Sequence, residues 1–428
     1  MSSFESAAEL SAHLESEILA GRLAPGDRLD PVRGAATALG LAPNTVASAY
    51  RTLSERGLVI GRGRSGTFVA DRRPTFSSEP IIPDDAVDFA SGNPDPDLLP
   101  DLNAIVKRIE VPGTLYGSAP VLTEFERAVR DHLVDPPGEM AVVSGALDGI
   151  ERVLATHLRP GDRVGIENPG WPAMADLVRA MLLRPVPVSI DEQGPVPESL
   201  RATVGSLDAL VTTSRVQNPT GACVTEARSS EVLEILDHHP DLLVIEDDHA
   251  GPISGVELFA IGPGRRRWAL AASMSKAIGP DLRIAALFGD RETIDAVRGR
   301  QGVGPGWVSH LLQRVAGIVI AEHQDTFIGA AETYGSRRSR FVSALAEAGV
   351  SVRAPSGLNV WVTVPDPASA VAACLDAGYA VRSGDPFVLD DTRAVRVTTS
   401  RMTSDQAVEV SRTLAHAGST GRRHTRSG

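Results

Sequence analysis

Lysine is almost absent from this sequence. Lys107 and Lys276 are the only two lysines among the 42 basic residues of a 428-residue chain, so arginine carries nearly all of the positive charge. Lys107 stands next to Arg108 in a helix-like stretch, LNAIVKRIE, where the pair indicates a solvated helix face. Lys276 follows a run of small residues and is flanked by serines. A partly buried lysine near cationic groups has a lowered pKa, as an amine nucleophile requires. We therefore predict that Lys276 is the reactive amine.

Cysteines and long apolar runs are also scarce. Cys223 and Cys374 are far apart in unrelated surroundings, which excludes a disulfide framework and a cysteine metal cluster. No apolar run approaches the roughly 20 residues that span a bilayer. The first ten residues, MSSFESAAEL, have neither the basic nor the apolar region of a secretion signal. We expect a cytoplasmic protein with no membrane segment and no bound metal.

Negative charge predominates, but one segment is basic. The formal net charge is −12, which argues against a protein that coats nucleic acid over its whole surface. Six arginines nevertheless lie between residues 51 and 73, opposed in that stretch by two acidic residues. A local basic face on an acidic protein indicates a confined nucleic-acid contact.

Residues 5–70 predict three helices and a hairpin. Apolar spacing indicates helices over about 5–20, from about residue 31, and from about 43 to 55, followed by two short strands around the turn 61–66. This is the plan of a winged helix-turn-helix, whose third helix enters the major groove and whose wing lies against the DNA backbone. A three-helix packing module with an arginine-bearing loop is the alternative. The predicted DNA contacts are Arg33, Asn44, Thr45, Arg62 and Arg64.

The rest of the chain predicts an α/β protein. Residues 71–86 contain three prolines and are predicted to be a linker. From 87 to 416, apolar strands alternate with helices, which is typical of a mainly parallel sheet followed by a small C-terminal α+β subdomain. The last residues, 417–428, are polar and predicted to be disordered.

Four predicted strand ends carry polar residues that together suit a ligand with a phosphate, a ring nitrogen and a phenolate oxygen. The first is Ser144-Gly145-Ala146, which opens a helix and offers amides to a phosphate, although a plain helix cap is equally consistent. Asp247 follows a buried strand, where a carboxylate needs a cation or a protonated ring nitrogen, unless it caps the next segment. Asn218 precedes a Pro-Thr-Gly turn and can donate to a phenolate. The fourth end holds Lys276 itself.

These pieces resemble known families. The motifs SGALDGI, ENPGWP, VQNPTG, VIEDDHAG and SMSKAIGPDLR, in this order, resemble fold-type I aminotransferases. The N-terminal motifs GRLAPGDRLDPVR, NTVASAYRTL and GRSGTFV are similar to GntR-type winged helices. The two joined in this order resemble the MocR-type transcription regulators over about residues 8 to 415. This resemblance implies a cofactor, pyridoxal 5′-phosphate (PLP), and a homodimer that binds operator DNA.

The resemblance also implies a role for each site residue. Lys276 would form the Schiff base, Asp247 would pair with the pyridine nitrogen, and Asn218 would reach the ring oxygen O3′. Trp171 would stack on the ring, and Arg396 would clamp the carboxylate of an amino-acid effector. Tyr116 would cross to the phosphate of the neighbouring subunit. The phosphate itself would be held by Ser144, Gly145, Ala146, Ser273, Ser275 and Arg283.

One position departs from the family. Relatives usually place a tyrosine shortly after the aspartate, whereas here His249 and Ala250 follow. His249 could replace the tyrosine as a donor to O3′. Three functions therefore stay open: a regulator that senses PLP, an amine or an amino acid; an aminotransferase with an accessory DNA-binding domain; and another PLP-dependent activity. The predicted winged helix favours the regulator, because an enzyme alone has no use for it.

Overall fold

A computed structural model describes residues 4, 6–19, 22–24, 26–55, 58–61, 66–69, 80–110 and 112–424. Within these ranges the predicted α/β fold class is confirmed. No helix of the described residues is long and apolar enough to cross a membrane.

The N-terminal unit has the predicted helices and hairpin. The helices are α1 (Ala7–Leu19), α2 (Val32–Leu39) and α3 (Pro43–Glu55), and strands β1 (Val59–Gly61) and β2 (Thr67–Val69) pair antiparallel. Helix α2 ends where Gly40 adopts a left-handed conformation, which turns the chain toward α3. The unit has its own core of twelve buried apolar residues, among them Val46, Ala49 and Leu53 on one face of α3. The opposite face of α3 is thus left to solvent, as a recognition helix requires.

A large mixed sheet forms the centre of the second unit. Its eight strands lie in the order β4-β11-β10-β9-β8-β5-β6-β7. Strands β8 to β11 are buried at every position, as expected for a sheet covered on both faces. The strands are β4 (Glu139–Val143), β5 (Arg163–Asn168), β6 (Arg184–Asp191), β7 (Gly194–Pro195), β8 (Ala209–Thr212), β9 (Leu243–Asp248), β10 (Trp268–Ser273) and β11 (Ala285–Gly289).

The strand directions bring the predicted site residues to one edge. Strand β9 runs parallel to β8 and β10, whereas β11 runs antiparallel to β10 and β4. The carboxyl ends of β4, β8, β9 and β10 therefore meet at the same edge as the amino end of β11, where ligands of such sheets bind. The accompanying helices are α4 (Leu102–Val106), α5 (Thr123–His132), α6 (Ala146–His157), α7 (Pro172–Ala180), α8 (Pro197–Thr203), α9 (Glu226–Asp237), α10 (Arg291–Gly302), α11 (His310–Glu322) and α12 (Gln324–Glu347).

The smaller sheet contains the strand that follows the predicted linker. Its strands, in the order β12-β14-β13-β3, are β12 (Asn359–Thr363), β14 (Ala394–Thr398), β13 (Tyr379–Ser383) and β3 (Val87–Phe89). Helices α13 (Pro367–Asp376) and α14 (Ser404–His424) complete this α+β part. Because β3 pairs with β13, residues directly after the linker belong to the same layer as the C-terminal part of the chain.

The prediction of a disordered tail from residue 417 is wrong as far as His424, because α14 continues to that residue. Buried Ala407, Val410 and Leu414 anchor the helix. Once a helix is nucleated, each further residue adds a hydrogen bond, so the anchored part of α14 extends into a stretch whose own residues, Gly418 and Gly421 among them, do not favour a helix. Residues 425–428 lie outside the described residues, as do residues 71–79 of the predicted linker.

Candidate cofactor site

Lys276 lies in the loop after β10, half-buried, with its Nζ donating to the carbonyl oxygen of Gly92 at 2.7 Å. Desolvation, and after it the charge of Arg396, lowers the pKa of Lys276 to about 8. Lys107, by contrast, is exposed at the end of α4. The structure therefore provides one lysine with the properties of an amine nucleophile.

Asp247 is the penultimate residue of β9, and one oxygen of its carboxylate lacks a partner. Its side chain is buried, and its Oδ1 has no hydrogen-bond partner among the described residues. Burial, followed by the charges of Asp248 and Glu167, raises the pKa of Asp247 to about 7. A buried acceptor of this kind is costly unless a donor is supplied from outside the chain. A protonated pyridine nitrogen is such a donor, so Asp247 fits the predicted cofactor.

The predicted phosphate contacts lie around the start of α6. Arg283 Nη2 donates to the carbonyl oxygen of Ser144 at 3.3 Å, and the amide of Ser144 donates to Asp148 at 2.9 Å. Gly145 has a φ of +106°, and a Cβ at this position would lie 2.5 Å from a guanidinium nitrogen of Arg283. Only glycine permits this approach. The amides of Gly145 and Ala146 lie at this helix start together with Arg283, a cradle that fits the predicted phosphate; its role in binding stays a prediction.

Two serine hydroxyls, of Ser273 and Ser275, are also predicted phosphate contacts. Ser273 ends β10, and its Oγ accepts the amide hydrogen of Ser275 at 3.3 Å and lies 3.4 Å from the Ser275 Oγ. Ser273 is paired across the sheet with Ala285, two residues after Arg283. Hydroxyls, helix-terminal amides and an arginine are the donors that bind a phosphate dianion.

Asn218 and Arg396 contact each other directly. Arg396 Nη1 donates to Asn218 Oδ1 at 3.2 Å, and Nη2 donates to the carbonyl oxygen of Ala90. The guanidinium lies over the ring of Phe387, 5.0 Å from its centroid. Desolvation and then the charge of Arg382 lower the pKa of Arg396 to about 10, so it remains a cation at neutral pH. Because its amide oxygen is taken by Arg396, Asn218 has its nitrogen available to donate.

Trp171 and His249 lie at the same sheet edge. Trp171 follows β5 and is 36% exposed, and the preceding Gly170 donates its amide hydrogen to the carbonyl oxygen of Phe387 at 2.8 Å. Desolvation and the charge of Lys276 lower the pKa of His249 to about 4, so its ring is neutral at neutral pH. A neutral imidazole can donate one hydrogen bond. The roles of Trp171 in stacking and of His249 at O3′ stay predictions.

Tyr116 is the most exposed of the predicted cofactor residues, at 95%. Its ring meets that of Trp307 edge-on, with a centroid separation of 5.8 Å. An exposed tyrosine against a half-buried tryptophan suits a contact with another chain. The predicted reach of Tyr116 into the site of a neighbouring subunit stays a prediction.

The predicted DNA contacts are only partly described. Arg33 is exposed on α2, Asn44 is exposed in the first turn of α3, and Thr45 beside it is half-buried. Arg62 and Arg64 lie outside the described residues.

Sequence reasoning missed several residues that the structure places around this site. Arg215, after β8, pairs with Asp248, and the carbonyls of Ala90 and Gly92 contact the two cations of the site. A signal for Arg215 was present, because two consecutive carboxylates at the mouth of a buried strand require a cation. Backbone carbonyls leave no comparable trace in a sequence.

Similarity to known proteins agrees with this geometry. A family model described as aminotransferase class I and II matches residues 84–414, and one described as bacterial regulatory proteins, gntR family, matches residues 6–69. The chain is 34% identical over 412 residues to the vitamin B6 salvage pathway transcriptional repressor PtsJ of Salmonella typhimurium, covering 94% of this chain and 96% of that protein. It is 26% identical over 400 residues to the regulator TauR of Rhodobacter capsulatus, covering 81% and 82%.

Solved structures agree on the fold of the larger part. An archaeal alanine:glyoxylate aminotransferase superposes with a TM-score of 0.71 at 20% identity, covering 78% of this chain and 91% of that one. The predicted fold-type I aminotransferase fold is thereby confirmed. With an N-terminal gntR-family domain, an aminotransferase class I and II domain and a full-length regulator among its relatives, the chain belongs to the MocR-type group of GntR-family transcription regulators.

Proposed function

We propose that this protein is a PLP-dependent transcription regulator whose aminotransferase-like domain senses PLP itself, an amine or an amino acid. The observation that carries the proposal is that half-buried Lys276 and the Asp247 carboxylate, whose Oδ1 lacks a partner, occur at the same sheet edge. The same chain also has a helix-turn-helix. A relative named as a repressor of vitamin B6 salvage makes the cofactor itself a natural signal.

The site residues suggest how the cofactor would be held. Lys276 would be linked to it covalently, Asp247 would accept a hydrogen bond from the ring nitrogen, and Asn218 would donate to O3′. The cradle of Gly145, Ala146 and Arg283, with Ser144, Ser273 and Ser275, would bind the phosphate. When bound, PLP supplies an electron sink next to an amino group.

Arg396 would select effectors that carry a carboxylate. Its Nη1 and Nη2 donate to Asn218 Oδ1 and the Ala90 carbonyl, two uncharged acceptors that a carboxylate could replace with stronger, charge-assisted hydrogen bonds. The regulator would act as a homodimer in the cytoplasm, since dimers bind paired half-sites of double-stranded operator DNA.

An aminotransferase activity is the second candidate, favoured by the complete set of Lys276, Asp247 and Arg396. His249 argues against efficient turnover, because its neutral imidazole stands where relatives place a tyrosine that tunes the amine. We therefore expect amine exchange at the cofactor with slow or absent multiple turnover. Efficient steady-state transfer from an amino acid to a keto acid would establish the enzyme instead.

The test combines colour and DNA binding. Purified protein with PLP should be yellow, and Lys276→Ala should lose the colour while remaining folded, whereas the matched Lys107→Ala variant should keep it. Affinity for a labelled fragment of the protein's own promoter should change roughly 5- to 150-fold between PLP-free and PLP-loaded protein, the range of a coupling of about 1–3 kcal/mol. Lys276→Ala should not respond. Equal affinities in all states would reduce the large domain to a dimerisation scaffold or an enzyme.

A further inference from the structure

Arg215 forms a bidentate ion pair with Asp248, the residue directly after Asp247. Its Nε donates to Asp248 Oδ1 at 2.9 Å and its Nη2 to Oδ2 at 2.7 Å, while Nη1 donates to the carbonyl oxygen of Val256 at 3.2 Å. The side chains of Arg215 and Asp248 are 10% and 4% exposed. Such planar, two-bond pairing fixes both side chains in place.

The local chain is shaped to admit this pair. A Cβ at Gly251 would lie 2.5 Å from Arg215 Nη2 and 2.6 Å from Asp248 Oδ2. A larger residue at position 251 would therefore require one or both of these side chains to shift. Gly251, three residues after Asp248, therefore packs closely against the ion pair.

Several charges act on Asp247 from the surrounding elements. Asp248 follows it on β9, with its side chain on the opposite face of the strand, and Glu167 acts from β5. Glu246 precedes it on β9, held by the amides of Ile261 and Gly262. The charges of Lys276 and Asp248 also act on His249, in opposite directions. Of these neighbouring carboxylates, Asp248 is the one paired with an arginine.

We propose that Arg215 is a positioning residue for cofactor binding: by pairing with Asp248 and fixing it, Arg215 offsets the like charge beside Asp247 and so favours the ionised carboxylate that pairs with the pyridine nitrogen. The inference rests on the proposed PLP function and adds a residue to it. Asp248 already acts on Asp247 as a like charge, and without Arg215 no paired cation would offset it. With Arg215 but without Asp248, an unpaired cation would act on Asp247 instead. The two losses should therefore affect Asp247 in opposite directions.

The charges make this testable. The dissociation constant of PLP for the full-length protein is measured by tryptophan quenching from about pH 5 to about pH 9. We call the acid limb the part of this pH profile in which affinity falls toward low pH because Asp247 takes up a proton, and its midpoint pH is determined. Arg215→Met should move this limb to higher pH by about one unit, and Asp248→Asn should move it to lower pH by a similar amount. The double variant should return it to the wild-type position. Arg215→Lys, which keeps the charge, should leave it nearly unmoved.

A PLP analogue with CH in place of the ring nitrogen is the matched ligand control. It cannot pair with Asp247, so its affinity should show no displacement of the limb in any variant. If Arg215→Met does not fold, Asp248→Asn and the double variant carry the test. Asp248→Asn must move the acid limb to lower pH, and the double variant must return it to the wild-type pH.

A purely structural role gives a different result. If all variants lowered affinity without moving the limb, or if the double variant was displaced like Arg215→Met, this inference would be overturned while the PLP proposal stood. Wild-type protein that binds no PLP would overturn the proposed function itself, and this inference with it.

Discussion

Replacing Asp247 with asparagine should stabilise the cofactor-free protein, even though the residue is predicted to be essential for cofactor binding. The carboxylate is buried and its Oδ1 has no partner among the described residues. An amide of the same shape avoids burying a charge. The substitution should therefore separate the needs of the fold from those of the ligand.

The size and pH dependence of this effect follow from proton linkage. The pKa of Asp247 is raised by burial to about 7, compared with about 3.9 in an unfolded chain. For an acid whose folded pKa is raised, the unfolded state loses its proton first, so stability falls as pH rises from about 4 to about 7 and is level above. Three pKa units correspond to about 4 kcal/mol. Asp247→Asn should therefore raise the free energy of unfolding by roughly 2.5 kcal/mol more at pH 8 than at pH 5.

Tryptophan fluorescence during urea unfolding is a suitable assay. All four tryptophans, Trp171, Trp268, Trp307 and Trp361, lie within the region matched by the aminotransferase model, so the signal reports that domain alone. The exposed Asp131→Asn variant is the control and should show no pH-dependent gain. If Asp247→Asn changed the free energy of unfolding equally at pH 5 and pH 8, the carboxylate would not be desolvated, and the argument for its role would fail.

Two further predictions concern the ligands. Arg396→Ala should weaken the response to carboxylate-bearing effectors roughly 10- to 100-fold, because a charge-assisted hydrogen bond of about 1.5–3 kcal/mol is lost, while the response to PLP alone persists. Exposed Arg393→Ala is the control. An equal loss in both variants would exclude a specific carboxylate contact by Arg396. Asn44→Ala should change base preference by about 1–3 kcal/mol at one operator position in a binding-site selection, whereas Arg62→Ala should weaken all sequences alike and lower the salt slope by about one unit. An unaltered selected sequence would remove Asn44 from base contact.

The sequence was most informative where a residue type and its position along a strand act together. Lys276, Asp247 and Asn218 each follow a strand-like run, and parallel strands bring such positions to one edge. The placement of Gly145 and Ala146 at a helix start directly after a strand was predictable for the same reason.

Contacts between distant parts of the chain were not predictable in this way. Lys276 and Gly92 are 184 positions apart, and Arg396 and Ala90 are 306 apart. Their acceptors are backbone carbonyls, which every residue has. Arg215 could be anticipated as a needed cation, but its identity depended on which loop packs against β9. The helical continuation to His424 depended on the anchoring of α14 rather than on its final residues.

The scarcity of lysine has a practical consequence for peptide mapping. A lysine-specific protease can cut this chain after Lys107 and Lys276 alone, giving pieces 1–107, 108–276 and 277–428. Borohydride reduction that fixes a cofactor on Lys276 should protect that bond and join the last two pieces into one. The exposed Lys107 should still be cut. One digest would therefore report both the fraction of chains carrying the cofactor and the lysine to which it is attached.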